Sequence, residues 1–314
     1  MKKFTKGALI TTLVFVILGF TLCAVGVGIG FHYTSIPKMI SDGVFNISSG
    51  WKNWSEAWHW NDWDDDWEFW DNGSTEAFDF TKEECADIEN LKMLVECGVV
   101  EIEEAKENQG IHVEVKYRKE NTKRDISVKV DGNTLCIEES GSNKLVYNDN
   151  VHVVVQLPAD MEFQEIELNN SAGEITVKHA LHAEDVSIIV GAGESVIDGE
   201  LQISGTLYAQ VDAGEIDFGK ISAKKIELNA GVGEIDVEKA SADEVILECG
   251  VGELNVTLDG REEDYSYQID CGIGEVEIAD RSYSGLGTTK EISGGSKMVD
   301  IDCGVGEINV EFTK

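Results

Sequence analysis

The sequence predicts an all-β fold, a single-stranded β-solenoid with ~20-residue coils, preceded by one transmembrane helix. Three observations predict it. A Gly-Glu phrase recurs seven times in the C-terminal half. Around each copy, apolar residues alternate with a period of two, and the phase flips at the glycine. Far upstream, Gly7 to Phe31 is a run of 25 residues without a charge.

Residues 1–6 read as a short cytoplasmic tail and 7–33 as the helix. About 20 apolar residues cross the hydrocarbon core as a helix. The apolar region of a signal peptide is shorter, about 7–15 residues, and ends in a small-x-small cleavage site. No such site follows here, and Phe20-Thr21-Leu22 before Cys23 lacks the small residue of a lipoprotein site. An uncleaved single-pass helix is therefore expected, with cleavage as the competing reading. Lys2, Lys3 and Lys6 precede the span. The positive-inside rule keeps them cytoplasmic, so the C-terminal domain is expected on the extracytoplasmic side of the cell membrane.

Residues 34–77 form a linker rich in Trp and Asp. All seven tryptophans lie in it. Trp51, Trp54 and Trp58 share one helical face, and Trp63, Trp67 and Trp70 share another. The two trios are out of phase, so one continuous amphipathic helix is not supported. Indole rings favour the membrane–water interface, which makes these six residues candidates for membrane or partner contact. A plain spacer is the competing reading.

Residues 78–160 change to strand-like alternation. Ile126–Val130, the turn Asp131-Gly132-Asn133 and Leu135–Ile137 read as a hairpin. Val151–Leu157 is a further strand, stopped by Pro158. Leu94–Ile102 resembles the repeat phrase with Val100 in place of its glycine, so a degenerate first rung is expected near Cys97. His112 and His152 sit on strands and read as cross-strand residues rather than ligands.

Residues 161–314 hold the repeats. The phrase glycines are Gly173, Gly193, Gly214, Gly233, Gly252, Gly274 and Gly306, spaced by 20, 21, 19, 19, 22 and 32 residues. One, three, five and seven residues before each glycine, the positions are nearly all apolar. Two and four residues after it they are apolar again, as in Ile235 and Val237. A phase flip at glycine marks a corner whose two flanking strands face one core. Each coil then has two short strands and two turns, the second turn polar, as in Glu238–Asp243. Stacked at roughly 4.8 Å, seven coils give a rod of about 34 Å. The 32-residue gap reads as a loop insertion at 280–291 in the last coil. Cys249, Cys271 and Cys303 share one inward position, which Cys97 also fits; stacking brings neighbours near disulfide distance, and buried thiols are expected, with a disulfide as the competing reading.

The phrase glutamates stack into a column, with a second, partly acidic column two residues on. Like charges ~4.8 Å apart repel by roughly 0.9 kcal/mol even in water. A cation, a basic partner, or hydrogen bonds from the neighbouring turn's N–H groups could offset this, and the corner position favours the last. Glu215, Asp217, Glu234 and Asp236 are the candidate calcium ligands, since calcium takes carboxylate oxygens. No cofactor is expected.

The chain carries 25 basic and 60 acidic residues, a net charge of −35, which argues against a nucleic-acid partner. Seven cysteines with no CxxC suggest neither a zinc site nor a disulfide framework. No nucleophile elbow, HExxH or Ser-His-Asp arrangement is visible, so no enzymatic activity is expected.

Val151–Pro158, followed by Ile166–Val177 with its Ala172-Gly173-Glu174-Ile175, resembles the bacterial "putative adhesin" family of envelope proteins, a domain of unknown function. The resemblance covers roughly 78–314. It implies a β-solenoid with an extracytoplasmic role, sometimes near envelope-stress regulation, and transfers no catalytic residue. The resulting expectation is a membrane-anchored adhesin or cell-envelope scaffold with a cell-wall or protein partner. A sensory or regulatory accessory protein is the alternative, and a polysaccharide-active β-helix enzyme is a distant third.

Overall fold

The computed structural model describes residues 74–96, 98–117, 124–141 and 151–314. The expected transmembrane helix and the tryptophans Trp51–Trp70 lie outside these residues. Among the described residues, no helix is long and apolar enough to cross a membrane.

The described part is one sheet wound into a solenoid. The repeats fold as β8 (Glu162–Val177), β9 (Leu181–Ile197), β11 (Thr206–Ser222), β12 (Lys225–Ser241), β13 (Glu244–Leu258), β14 (Tyr265–Ile278) and β16 (Lys297–Phe312). Each runs unbroken through its corner, so the two strands expected per coil are one bent strand. Neighbouring coils pair in parallel and in register, Gly214 on Gly233 and Glu215 on Glu234.

The corner explains the glycines. A Cβ on Gly193, Gly214, Gly233, Gly252 or Gly306 would stand 1.8–1.9 Å from the carbonyl oxygen of the glycine one coil below. Their φ values lie between 146 and 156°, where side chains are strained. The column continues to Gly98 at one end and Gly274 at the other.

The first rung expected near residue 97 exists, with its register corrected. It is built from β2 (Asn90–Val95) and β3 (Gly98–Glu104), which pair with the two halves of β8. Gly98, not Val100, occupies the corner opposite Gly173. Val95 lies opposite Asn170 and so takes the slot that holds Cys249 higher up; Cys97 is outside the described residues. Asn170 is the one buried polar residue of that slot. Its Nδ2 donates to the carbonyls of Gly98 and Glu174 at 3.0 and 3.1 Å, and its Oδ1 accepts from the Ala172 N–H, tying two corners together.

The stack ends in antiparallel strands. At the N-terminal end, β6 (Thr134–Gly141) and β7 (Val151–Leu157) add a split rung on β2 and β3. β5 (Arg124–Asp131) covers β6 through the expected hairpin, whose Gly132 has φ 63°. β4 (His112–Tyr117) covers β7, and β1 (Ser74–Asp79) covers β4. His112 and Asp79 are cross-strand partners, their Nδ1 and Oδ1 2.7 Å apart. A one-turn helix α1 (Lys82–Cys85), capped by Thr81, joins β1 to β2.

At the other end the sequence order is broken. β16 lies between β13 and β14, so the cysteine column reads Cys249, Cys303, Cys271. All three thiols are free and buried, and burial pushes Cys303 up to about 12. The stretch expected as a loop insertion is instead β15 (Arg281–Ile292), an antiparallel strand on β14 and the last of the sheet. Tyr265 closes the core beneath it, its ring 5.6 Å from that of Phe312 and its hydroxyl donating to the Asp259 carbonyl.

The turn expected to be polar also differs. It contains a third, short ladder joining Leu181, β10 (Leu201–Ile203), Ile221, Ala240 and Leu258, all buried. Ala240 fits the core because it is small, and alanine carries little hydrophobic signal. One core position breaks the aliphatic rule: Ser195 stands between Ile175 and Ile216, buried, with no partner for its hydroxyl.

Gly233→Ala should cost about 3 kcal/mol or more, from backbone clash and strain together. Gly132→Ala, which meets nothing within 4 Å, should cost only about 1 kcal/mol. Urea unfolding of the two variants measures the difference. Ser195→Val should raise stability by about 1 kcal/mol, because it removes an unsatisfied hydroxyl from an aliphatic column; a fall in urea midpoint would contradict this.

Candidate functional site

The corner decides which side chains leave the core. The flip begins two residues before the phrase glycine, so the aliphatic residue immediately before it points outward, not inward as expected. Ile273 is 59% and Val232 40% exposed. With Ala172, Ala192, Ala213, Val251 and Val305 they form a ridge along the rod. Glycines at the flip position (Gly191, Gly231, Gly250, Gly272 and Gly304) were the signal that could have shown it.

Beside the ridge run the two carboxylate columns. The candidate residues Glu215 and Glu234 are adjacent in the first, Asp217 and Asp236 in the second. Burial, then the neighbouring carboxylates, raises the pKa values of Glu215, Asp217 and Glu307. The same causes push Glu234 up to about 7. The second column becomes amide-bearing higher up. Asn255 Nδ2 donates to Asp236 Oδ1 at 2.6 Å and to Glu253 Oε1 at 3.1 Å. Asn309 Nδ2 donates to Asn255 Oδ1 at 2.7 Å.

The donors found at the column glutamates are side chains: Thr176 on Glu174, Asn255 on Glu253 and Ser282 on Glu275. This corrects the expected turn N–H donors. The parallel ladder resumes directly after the corner and pairs Gly214 with Gly233 and Glu215 with Glu234, so the backbone at the glutamates is matched to the neighbouring coil.

The columns border an open groove of about 650 Å³. Asp198, Asp217, Asp236, Glu238, Glu277, Glu307 and Glu311 line it, and no Lys or Arg does. Among the described residues, no three His, Cys, Asp or Glu side chains converge as metal ligands would. The four calcium candidates are brought side by side but strung along the rod. Such a surface draws cations and basic partners by its summed field.

The profile of the Toastrack DUF4097 family matches residues 88–314. The chain belongs to that family. No curated protein matches it. Among solved structures, similar folds include a "putative adhesin" from Bacteroides fragilis, with 13% identity, TM-score 0.42, and coverage of 76% of this chain and 96% of that one. A "putative cell adhesion protein" from Clostridium sporogenes has 15% identity, TM-score 0.32, and coverage of 77% and 100%. A "putative lipid binding protein" from Parabacteroides distasonis has 14% identity, TM-score 0.39, and coverage of 76% and 96%.

The raised carboxylates set a pH dependence. For Glu234 the folded-state pKa lies above the unfolded one, so its contribution is fully present below about 4.5 and is lost as pH rises through about 7. Wild type and Glu234→Gln should melt together at pH 5, and the variant should melt higher at pH 8. Thermal melts at the two pH values test this, and equal melting at pH 8 would count against a strained column.

Proposed function

We propose that this Toastrack chain is a membrane-anchored, extracytoplasmic and non-catalytic adhesion or envelope scaffold. The supporting observation is the repetition of one outward surface. Ridge and glutamate column recur in register on every repeat coil, with acids or amides in the second column from Asp217 onward, which suits multivalent contact along a rod better than a single reaction centre. The adhesin names borne by similar folds agree with this reading. The N-terminal apolar run supplies the anchor, and Trp51–Trp70 the contact zone between membrane and rod. The acidic face selects basic surfaces and leaves out nucleic acid.

Cells carrying the full chain with a C-terminal epitope should lose that epitope to added protease while intact, and should adhere more than cells without the chain. A protected epitope, or unchanged adherence with the chain exposed, would overturn the proposal.

A further inference from the structure

Three features meet on the last coils of the rod, β13, β16 and β14. The ridge there is Val251, Val305 and Ile273, and Ile273 is the most exposed large hydrophobic residue among those described. Beside it Glu277, Glu307 and Glu311 line the groove, and no Lys or Arg does. The third feature is an amide of the second column, Asn309, left with an acceptor that nothing meets. At the other end of the repeats the ridge is Ala172 and Ala192, and the second column holds Thr176 and Val196. Exposed apolar surface and acids therefore coincide most fully at the end of the rod opposite β1.

The direction of the amide chain is set at its lower end. Asp236 accepts from Asn255 Nδ2, and a carboxylate has no N–H to give in return. Asn255 Oδ1 is thereby left for Asn309, whose Nδ2 donates to it. Asn309 also donates to the Glu307 carboxylate. With its N–H groups given away, Asn309 keeps only Oδ1, which is buried and has no donor. The next residue in register is Glu277, a further carboxylate. The chain of amides thus ends acceptor beside acceptor, on a wall of the groove. A buried acceptor without a donor carries its full desolvation cost, and a donor brought in from outside removes it.

We propose that this end of the groove binds a basic, apolar segment of a partner protein. A lysine ammonium sits between Asn309 Oδ1 and the Glu277 carboxylate, and the apolar neighbours of that lysine lie on Val305 and Ile273. The chemistry of an ammonium suits the place. It has N–H groups to give, accepts nothing, and stands on an apolar stem that can lie along aliphatic surface. Val305 and Ile273 precede Glu307 and Glu275 by two residues, so apolar and acidic contacts are offered by the same coils. A metal ion fits less well. Among the described residues no three acidic, His or Cys side chains converge to hold one, and an ion would leave the ridge unused.

The inference rests on the acidic face being a contact surface, and it gives the partner's chemistry and the place of contact. Net charge alone would attract any cation to any side of the rod. The ridge adds a requirement for apolar residues beside the charge, and the amide chain adds a fixed point for one N–H donor. One such contact is small, and many anchored copies together supply avidity.

The test uses the full chain in zwitterionic lipid nanodiscs on a binding sensor, with empty discs as reference. Two synthetic peptides of equal positive charge are the probes, one of Lys and Leu and one of Lys and Gly. The Lys/Leu peptide should bind more tightly. Ile273→Ser should weaken it by about fivefold and leave the Lys/Gly peptide unchanged. Glu277→Lys should weaken both by at least about tenfold. Glu200→Lys makes the same change of charge at an exposed acid outside the groove and should leave both within about twofold. Circular dichroism confirms that each variant folds. Equal binding of the two peptides, an indifferent Ile273→Ser, or a Glu200→Lys as costly as Glu277→Lys overturns the inference. So does calcium chloride that displaces the peptide at an ionic strength where sodium chloride does not, since the end would then be a metal site. Adherence of cells displaying the chain is scored separately. Peptide binding with these variant effects but without adherence supports the inference and removes the adhesive reading; adherence without peptide binding overturns the inference alone.

Discussion

The structure depends on one close approach of backbone to backbone. At each corner the chain passes within van der Waals distance of the corner below, with a carbonyl oxygen where a Cβ would have to stand. Only glycine fits, and the glycines therefore stack from Gly98 through Gly306 to Gly274. Coils locked at the same point cannot slide. Every side chain is thereby brought above its equivalent in the neighbouring coil, the aliphatic core residues and the surface carboxylates alike.

That lock has an electrostatic consequence. A free strand could shift to separate like charges, but these coils cannot, so Glu215, Glu234 and Glu253 stand in line. The chain relieves the repulsion in two ways. Amides take the place of acids in the second column at Asn255 and Asn309, where they donate to the residues next in line. Elsewhere burial, and then the neighbouring carboxylates, hold the proton more tightly, as at Glu234 and Asp217. Neither requires an ion. The groove remains acidic because most of its lining acids have no basic neighbour there.

The parts of the fold legible in the sequence are those governed by this lock. Period-two alternation around Gly233 or Gly252 predicts the bent strand, the core face and the carboxylate columns, because each depends on neighbours a few residues away. What was not legible depends on which coil lies next to which. Cys303 suits Cys249 and Cys271 equally, so nothing local places β16 between β13 and β14. The sequence of β15 reads as a loop because an edge strand with little buried surface needs no apolar alternation. Ala240 and Ala242 read as part of a polar turn because their burial follows from small size rather than hydrophobic character. The outward turn of Val232 and Ile273 required the flip to be placed two residues earlier, at Gly231 and Gly272. Of the candidate residues, the four carboxylates are adjacent as expected, while the tryptophans fall outside the described residues.

The exchange of order near the C-terminus follows from how a solenoid must end. An uncapped parallel coil exposes both its backbone edge and the end of its core. Turning back at Ala279–Asp280 lets β15 run antiparallel along β14 and cover that end with Ser, Thr and Gly rather than another apolar coil. The hairpin so formed does not continue the parallel stack, since β15 runs antiparallel to the coils. The last phrase, around Gly306, is left one place where glycine can meet glycine on both sides, between Gly252 and Gly274. The end cap and the break in strand order are thus a single solution. It leaves the rod with a polar, weakly basic edge at one end of an otherwise acidic molecule.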